Sequence, residues 1–146
     1  MPTLEPDRTF AVAEQLHSAA IHLLRRLRVQ DAASGIGPAR LSALSVLVFG
    51  GPRSLKELAG IEQVRPPTMS RVVAALEVEG LVRRDIAPDD ARRIILRATF
   101  QGRRVLLAAR KRRLHDLAER LARLSERDVG NLERCATVLR GMLRDR

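Results

Sequence analysis

The sequence predicts a mainly α fold with one small β-hairpin, an α+β arrangement, and three observations carry that prediction. Apolar residues recur at spacings of three and four over most of the chain. Two short β-type runs, Leu81–Ile86 and Ile94–Ala98, flank a polar stretch. Aromatic residues are limited to Phe10, Phe49 and Phe100, so the core must be built from Leu, Val, Ile and Ala, which suits helices. With 45% hydrophobic residues over 146 positions, one domain with a real core is expected.

The elements follow in order. Residues 1–9 are polar with prolines at 2 and 6 and are expected to fray. From Phe10 to Val29, Phe10, Ala13, Leu16, Ala20, Leu23, Leu24 and Leu27 form the stripe of an amphipathic helix. The glycines at 35 and 37 end that segment, and Pro38 suits the first position of a second helix running to about Phe49. Gly50, Gly51 and Pro52 make a turn. Ser54 and Glu57 have capping-box spacing for a short third helix over Leu55–Gly60. Pro66 and Pro67 fit only a helix's first turn, so a fourth helix spans Pro66–Glu79 with Gly80 as its stop. The hairpin follows, with residues 87–93 read as a long tip. Thr99 can cap a fifth helix from Phe100 to about Leu124. Ser125 and Asp128 start a last helix, striped by Val129, Leu132, Ala136, Leu139 and Leu143.

The formal net charge of +10 points to phosphate-rich partners, nucleic acid above all. The cations are almost all arginine, with lysine only at 56 and 111. Arginine suits bidentate and groove contacts better than lysine does. The scarcity of aromatics argues against single-stranded nucleic acid, whose bases stack on aromatic faces. A lone cysteine, Cys135, a start without leader character and the lack of a long apolar run lead us to expect a reducing cytoplasm and no membrane partner. No phosphate loop, nucleophile elbow or clustered catalytic acids appear, so an enzyme is not expected. His17 and His22 are five apart and do not share a helix face; no metal or cofactor is expected.

The third and fourth helices with their short connection have the order of a helix-turn-helix, whose second helix fits the major groove of duplex DNA. Opposite its apolar stripe this helix carries Thr68, Ser70 and Arg71, with Arg65 and Pro66 at its start. Those side chains can contact bases or phosphates, and the free amides of the helix start can attract phosphate. The hairpin adds Arg92 and Arg93 beside Asp89 and Asp90. An arginine there can enter a narrow minor groove, and an aspartate can fix the loop by pairing with arginine.

The ordered set E-L-A at Glu57–Ala59, T-x-S-R at Thr68–Arg71, L-E-x-x-G-L-V at Leu76–Val82, D-x-R at Asp90–Arg92 and T-x-x-G at Thr99–Gly102 resembles the MarR-type winged helix-turn-helix regulators over nearly the whole chain. The resemblance implies a winged lobe at residues 38–99 and dimerisation helices at 10–30 and 100–144. It places Thr68, Ser70 and Arg71 on the recognition helix, Arg92 at the wing arginine and Asp90 at the acid that orients it. Arg65 stands where the family often has a capping serine, which makes it a candidate phosphate contact. The resemblance further implies a homodimer on a palindromic operator in double-stranded DNA. The expected role is a repressor released by a small phenolic or anionic effector bound between the dimer helices and the lobe. The alternative is a basic structural protein that binds nucleic acid without sequence preference.

Overall fold

The computed structural model describes residues 6–144. In chain order it contains α1 (Pro6–Val29), a 3-10 turn (Ala32–Ser34), α2 (Pro38–Gly50), α3 (Leu55–Ile61), α4 (Pro66–Val78), β1 (Val82–Ala87), β2 (Asp90–Ala98), α5 (Phe100–Leu121) and α6 (Glu126–Met142). The chain divides into two compact units, one ending at Arg113 and the other beginning at Leu114.

In the first unit the core is aliphatic, as the composition requires. Leu41 and Leu44 of α2, Leu58 of α3, Met69, Val73 and Leu76 of α4 and Leu96 of β2 are all buried, and Leu106 and Ala109 of α5 join the same cluster. Each such side chain contributes about 1.5–3 kcal/mol by leaving water. The E-L-A motif is therefore structural: Leu58 and Ala59 are core, and Glu57 closes the capping box of α3. Ser54 Oγ accepts from the Glu57 amide at 3.2 Å and the Glu57 carboxylate accepts from the Ser54 amide at 2.7 Å. These hydrogen bonds to Ser54 hold the Glu57 carboxyl below its ordinary value. The box is therefore intact above the usual carboxylate range and is lost as pH falls through it. Ser54→Ala should cost about 1 kcal/mol. Urea unfolding at neutral pH reads this directly, and the difference between variant and wild type should shrink toward pH 3.

Both helices of the helix-turn-helix end in the same way. The Gly80 amide donates to Glu77 O and the Leu81 amide to Leu76 O, with Gly80 at φ +69°. This is a Schellman stop, as the glycine predicts. At the end of α3 the Gln63 amide donates to Gly60 O and the Val64 amide to Ala59 O, with Gln63 at φ +54°. A glutamine occupies a left-handed position that favours glycine. Gln63→Gly should raise stability by about 0.5–1 kcal/mol by removing that strain. A lower urea midpoint would contradict this.

Two expectations need correction. The first helix does not wait for Phe10: α1 starts at Pro6, because proline's fixed φ and missing amide suit a first turn. Residues 1–5, also expected to fray, lie outside the described residues. The hairpin tip is not seven residues long either. β2 begins at Asp90, which pairs with Ala87, leaving only Pro88 and Asp89 as the turn. The next pair is Ile86 with Ile94, so Ala91, Arg92 and Arg93 have no partners in the register and form a bulge. Arg92 and Arg93 thus sit in the strand next to the tip.

In the second unit Ser125 caps α6 by accepting from the Asp128 amide at 3.1 Å, as its spacing predicts.

Candidate nucleic-acid interface

Helix α4 presents its outer face by default, because Met69, Val73 and Leu76 anchor the opposite face in the core. Thr68 and Arg71 are exposed as expected, and Ser70 is half-buried on the flank. At 100° per residue, Pro67, Ala74 and Val78 share the outermost line with Arg71. All three are exposed, and Val78 is 89% exposed. Sequence motifs did not single them out, because apolar residues off the core stripe carry no chemical signature. On a major-groove helix such groups meet thymine methyls.

The start of α4 departs from an ordinary anion site. Arg65 is the N-cap residue, extended at φ −68° and ψ 145°, and its side chain caps nothing. Pro66 and Pro67 have no amide hydrogen, and the Thr68 amide donates to Arg65 O at 3.0 Å. The expected phosphate capture by free backbone amides is therefore largely lost here. Any phosphate grip at this end falls to the Arg65 side chain.

The wing is braced by arginine–carboxylate pairs. Arg84 Nε and Nη2 donate to the two oxygens of Glu77 at 2.8 and 3.2 Å, tying β1 to α4. Arg97 and Arg83 both meet Asp85, at 2.9 and 3.2 Å. On the other side of β2, Arg53 and Leu96 exchange both backbone hydrogen bonds, forming a short third edge that the sequence did not reveal.

Near the tip the two aspartates divide their work. Asp89 accepts from Arg93 Nη2 at 2.8 and 2.9 Å. That contact holds the Asp89 carboxyl below its ordinary value and raises Arg93. The pair persists above the usual carboxylate range and loosens only as pH falls through it. Asp90 Oδ1 accepts from the Arg92 amide at 2.9 Å. Asp90 thus sets the backbone of Arg92 and does not pair with its guanidinium. Among the described residues, the guanidinium groups of Arg65, Arg71 and Arg92 have no hydrogen-bonding or ionic partner. The exposed side of α4 and the wing therefore carries these three unneutralised cations, while Arg93, Arg84 and Arg97 are spent on shape.

A second concavity lies in the same unit. It has a volume of about 480 Å³ and is lined by the end of α1, α2, the end of α3 and α5. Leu24, Leu27, Leu41 and Leu106 supply apolar wall. Asp31, only 3% exposed, accepts from Arg113 Nε at 2.5 Å across 82 residues of sequence. Ser42 Oγ donates to Glu62 Oε1 at 3.0 Å, and Glu62 is the residue that ends α3. From α2 the lining residues are Pro38, Ala39, Leu41, Ser42 and Ser45.

A model of the MarR family matches residues 37–94 of this chain. An HTH-type transcriptional regulator of Mycobacterium tuberculosis is 39% identical over 125 residues, which is 84% of this chain and 87% of the relative. The structure of a MarR family protein from Bacillus stearothermophilus superposes with a TM-score of 0.84 at 26% identity, covering 97% of this chain and all of that one (100%). A transcriptional regulator from Thermotoga maritima shares the fold, with a TM-score of 0.76 at 23% identity over 92% of this chain and 94% of that one.

Proposed function

Because the chain belongs to the MarR family of DNA-binding transcriptional regulators, we propose that it acts as a homodimeric, sequence-specific repressor on a two-fold operator, released by a small effector. The observation that carries this reading is the division of labour among the arginines. Arg65 and Arg71 on α4 and Arg92 on the wing are left without partners, while their neighbours are locked into carboxylate pairs. A helix and a wing so equipped address adjacent major and minor grooves. In this reading Thr68, Ser70 and Arg71 meet base edges, Arg65 a phosphate and Arg92 the minor groove. Pro66 presets the first turn, and Asp90 and Arg93 hold the wing in shape.

The dimer reading draws on apolar surface that a single chain leaves open. On α1, Phe10 is 73%, Leu23 45% and Leu24 55% exposed, and just past the end of α6 Leu143 is reached by solvent over 75% of its surface. Residues 10–30 and 100–144 are assigned to the dimer interface on that ground, and residues 38–99 to the DNA-binding lobe. A cytoplasmic setting fits a DNA target and a free cysteine. Among the described residues, no single helix is long and apolar enough to cross a membrane.

The effector site in this proposal is the cleft at Asp31. Its wall includes Glu62, immediately before the left-handed Gln63 and the first turn of α4. A ligand that disturbs the Ser42–Glu62 contact biases the turn that aims the recognition helix and shifts the population away from the DNA-fitting spacing.

Selection of bound duplexes from a random-sequence pool tests the proposal. Enrichment of an inverted repeat with half-sites about one helical turn apart is expected. Retention without sequence enrichment contradicts it and supports a non-specific basic binder.

A further inference from the structure

The motif L-E-x-x-G-L-V holds one residue that packing does not explain. Leu76, Leu81 and Val82 are buried and Gly80 stops α4, but Glu77 is neither core nor cap. We infer that Glu77 is a positioning residue for DNA reading. Through Arg84 it fixes the angle between α4 and the wing, so that Arg71 and Arg92 meet their grooves together. The consequence for affinity rests on the DNA-binding reading above; the clamp itself does not.

Charge argues first. The C-terminal end of a helix carries partial negative charge and favours cations. Helix α4 has no basic residue in its last turn; Glu77 stands there and Glu79 at the C-cap. Both glutamates break the preference, and both would also repel the phosphates of a duplex that α4 approaches. Each is taken up by an arginine from another element. Arg40 of α2 pairs with Glu79. Arg84 of β1 donates to both oxygens of Glu77, at 2.8 and 3.2 Å. A residue that breaks a local preference yet meets a fitted partner marks a functional constraint.

Geometry shows what is constrained. Only Glu79, Gly80 and Leu81 join α4 to β1. The buried Val82 seats the base of the hairpin, and Arg84 is two residues nearer the tip on the same face. Beyond it on that face the cross-strand pair Ile86 and Ile94 is 66% and 53% exposed, and the bulge with Arg92 follows. Among the described residues the Glu77–Arg84 fork is therefore the outermost polar hold of that face on α4. Two parallel hydrogen bonds fix direction as well as distance. An exposed ion pair adds little to stability, and losing an acid from a helix C-terminus offsets part of that. The effect of the pair lies in orientation: a wing already at its angle loses less freedom on binding.

Glu77→Gln tests the inference by the sign of its effect. The substitution removes a negative charge and releases Arg84, and by charge alone both changes strengthen binding to DNA. The inference predicts the reverse: the affinity of the full-length protein for the selected duplex falls about tenfold, within the range of one good groove contact. In an Arg92→Ala background the wing has no groove contact left to align, and the same change should no longer weaken binding. Exchanging the pair, Glu77→Arg with Arg84→Glu, should restore affinity to within about threefold of wild type. In the protein without DNA, residual dipolar couplings of amides in α4 and the hairpin should fit one common orientation in the wild type, and should cease to do so in Glu77→Gln. Equal or tighter binding by Glu77→Gln overturns the inference. So does a loss that persists undiminished with Arg92→Ala, or a common orientation kept in Glu77→Gln. The single variant decides the matter even if the exchanged pair does not fold. If no duplex is selected from the pool, the regulator reading fails and the couplings alone decide the clamp. Operator selection with couplings unchanged by Glu77→Gln does the reverse.

Discussion

Replacing Gly102 by alanine is expected to destabilise the fold by about 3 kcal/mol, at the upper end of what an extra methyl group in a packed site costs. A Cβ at Gly102 would stand 2.1 Å from the carbonyl oxygen of Leu81 and 3.2 Å from Leu44 Cδ1. The backbone oxygen cannot move freely, because the Thr99 amide donates to it at 3.0 Å. Thr99 Oγ1 in turn donates to Gly80 O at 2.7 Å and accepts from the Gly102 amide at 3.0 Å. The T-x-x-G motif is thus a knot that ties the start of α5 to the stop of α4. An added methyl group must part the two segments, which would also disturb the base of the wing. The loss is a large share of the stability of an ordinary domain. Gly60→Ala is the control: it is helical, and a Cβ there meets nothing within 4 Å. It should be neutral or stabilising by up to about 1 kcal/mol. Urea unfolding of both variants checks the pair, and a cost below about 0.5 kcal/mol for Gly102→Ala would contradict the account.

Arg92→Ala is expected to weaken DNA binding by about 1–3 kcal/mol, roughly five- to 150-fold, with little change in stability. Among the described residues its guanidinium holds nothing, so truncation removes a contact without releasing a carboxylate. Arg93→Ala differs in kind. It frees Asp89, leaves a negative charge beside the phosphates and loosens the bulge, so its loss should be matched in part by Asp89→Ala. Affinity titrations on a selected duplex separate the cases. Unchanged affinity for Arg92→Ala would remove it from the proposed interface and leave Arg65 and Arg71 to carry it.

How far these features could be read in advance depends on how local their causes are. Helices α2 to α4 are legible because apolar periodicity, Pro38, the Ser54–Glu57 box and Gly80 act within a turn of where they stand. The winged lobe is legible for the same reason. The wing tip is not. Pro88, Asp89 and Asp90 have turn chemistry, but whether the turn takes two residues or seven is set by the ladder partner of Asp90 and by a bulge. The anchor of α1 at Pro6 is hidden by polar residues that suit a helix start as well as a frayed end. Of the site residues, Thr68, Arg71 and Arg92 stand on the outer surface of the lobe as expected. The division between Arg92 and Arg93 needed the observed pairing with Asp89. The outward Pro67, Ala74 and Val78 became visible only once the core had fixed the rotation of α4. The cleft was out of reach of sequence motifs, because its buried Asp31 pairs with a half-buried Arg113, and only the packing of the end of α1 against α5 brings them together.

Sedimentation equilibrium of the protein with its selected duplex tests the central claim most directly, since a reading head on a two-fold dimer fixes the stoichiometry. The expected result is two chains per inverted repeat, with a duplex carrying a single half-site bound at least tenfold more weakly. A single chain bound to the half-site duplex, with the same affinity as each chain has for the full repeat, would contradict the proposal that this protein reads DNA as a dimer.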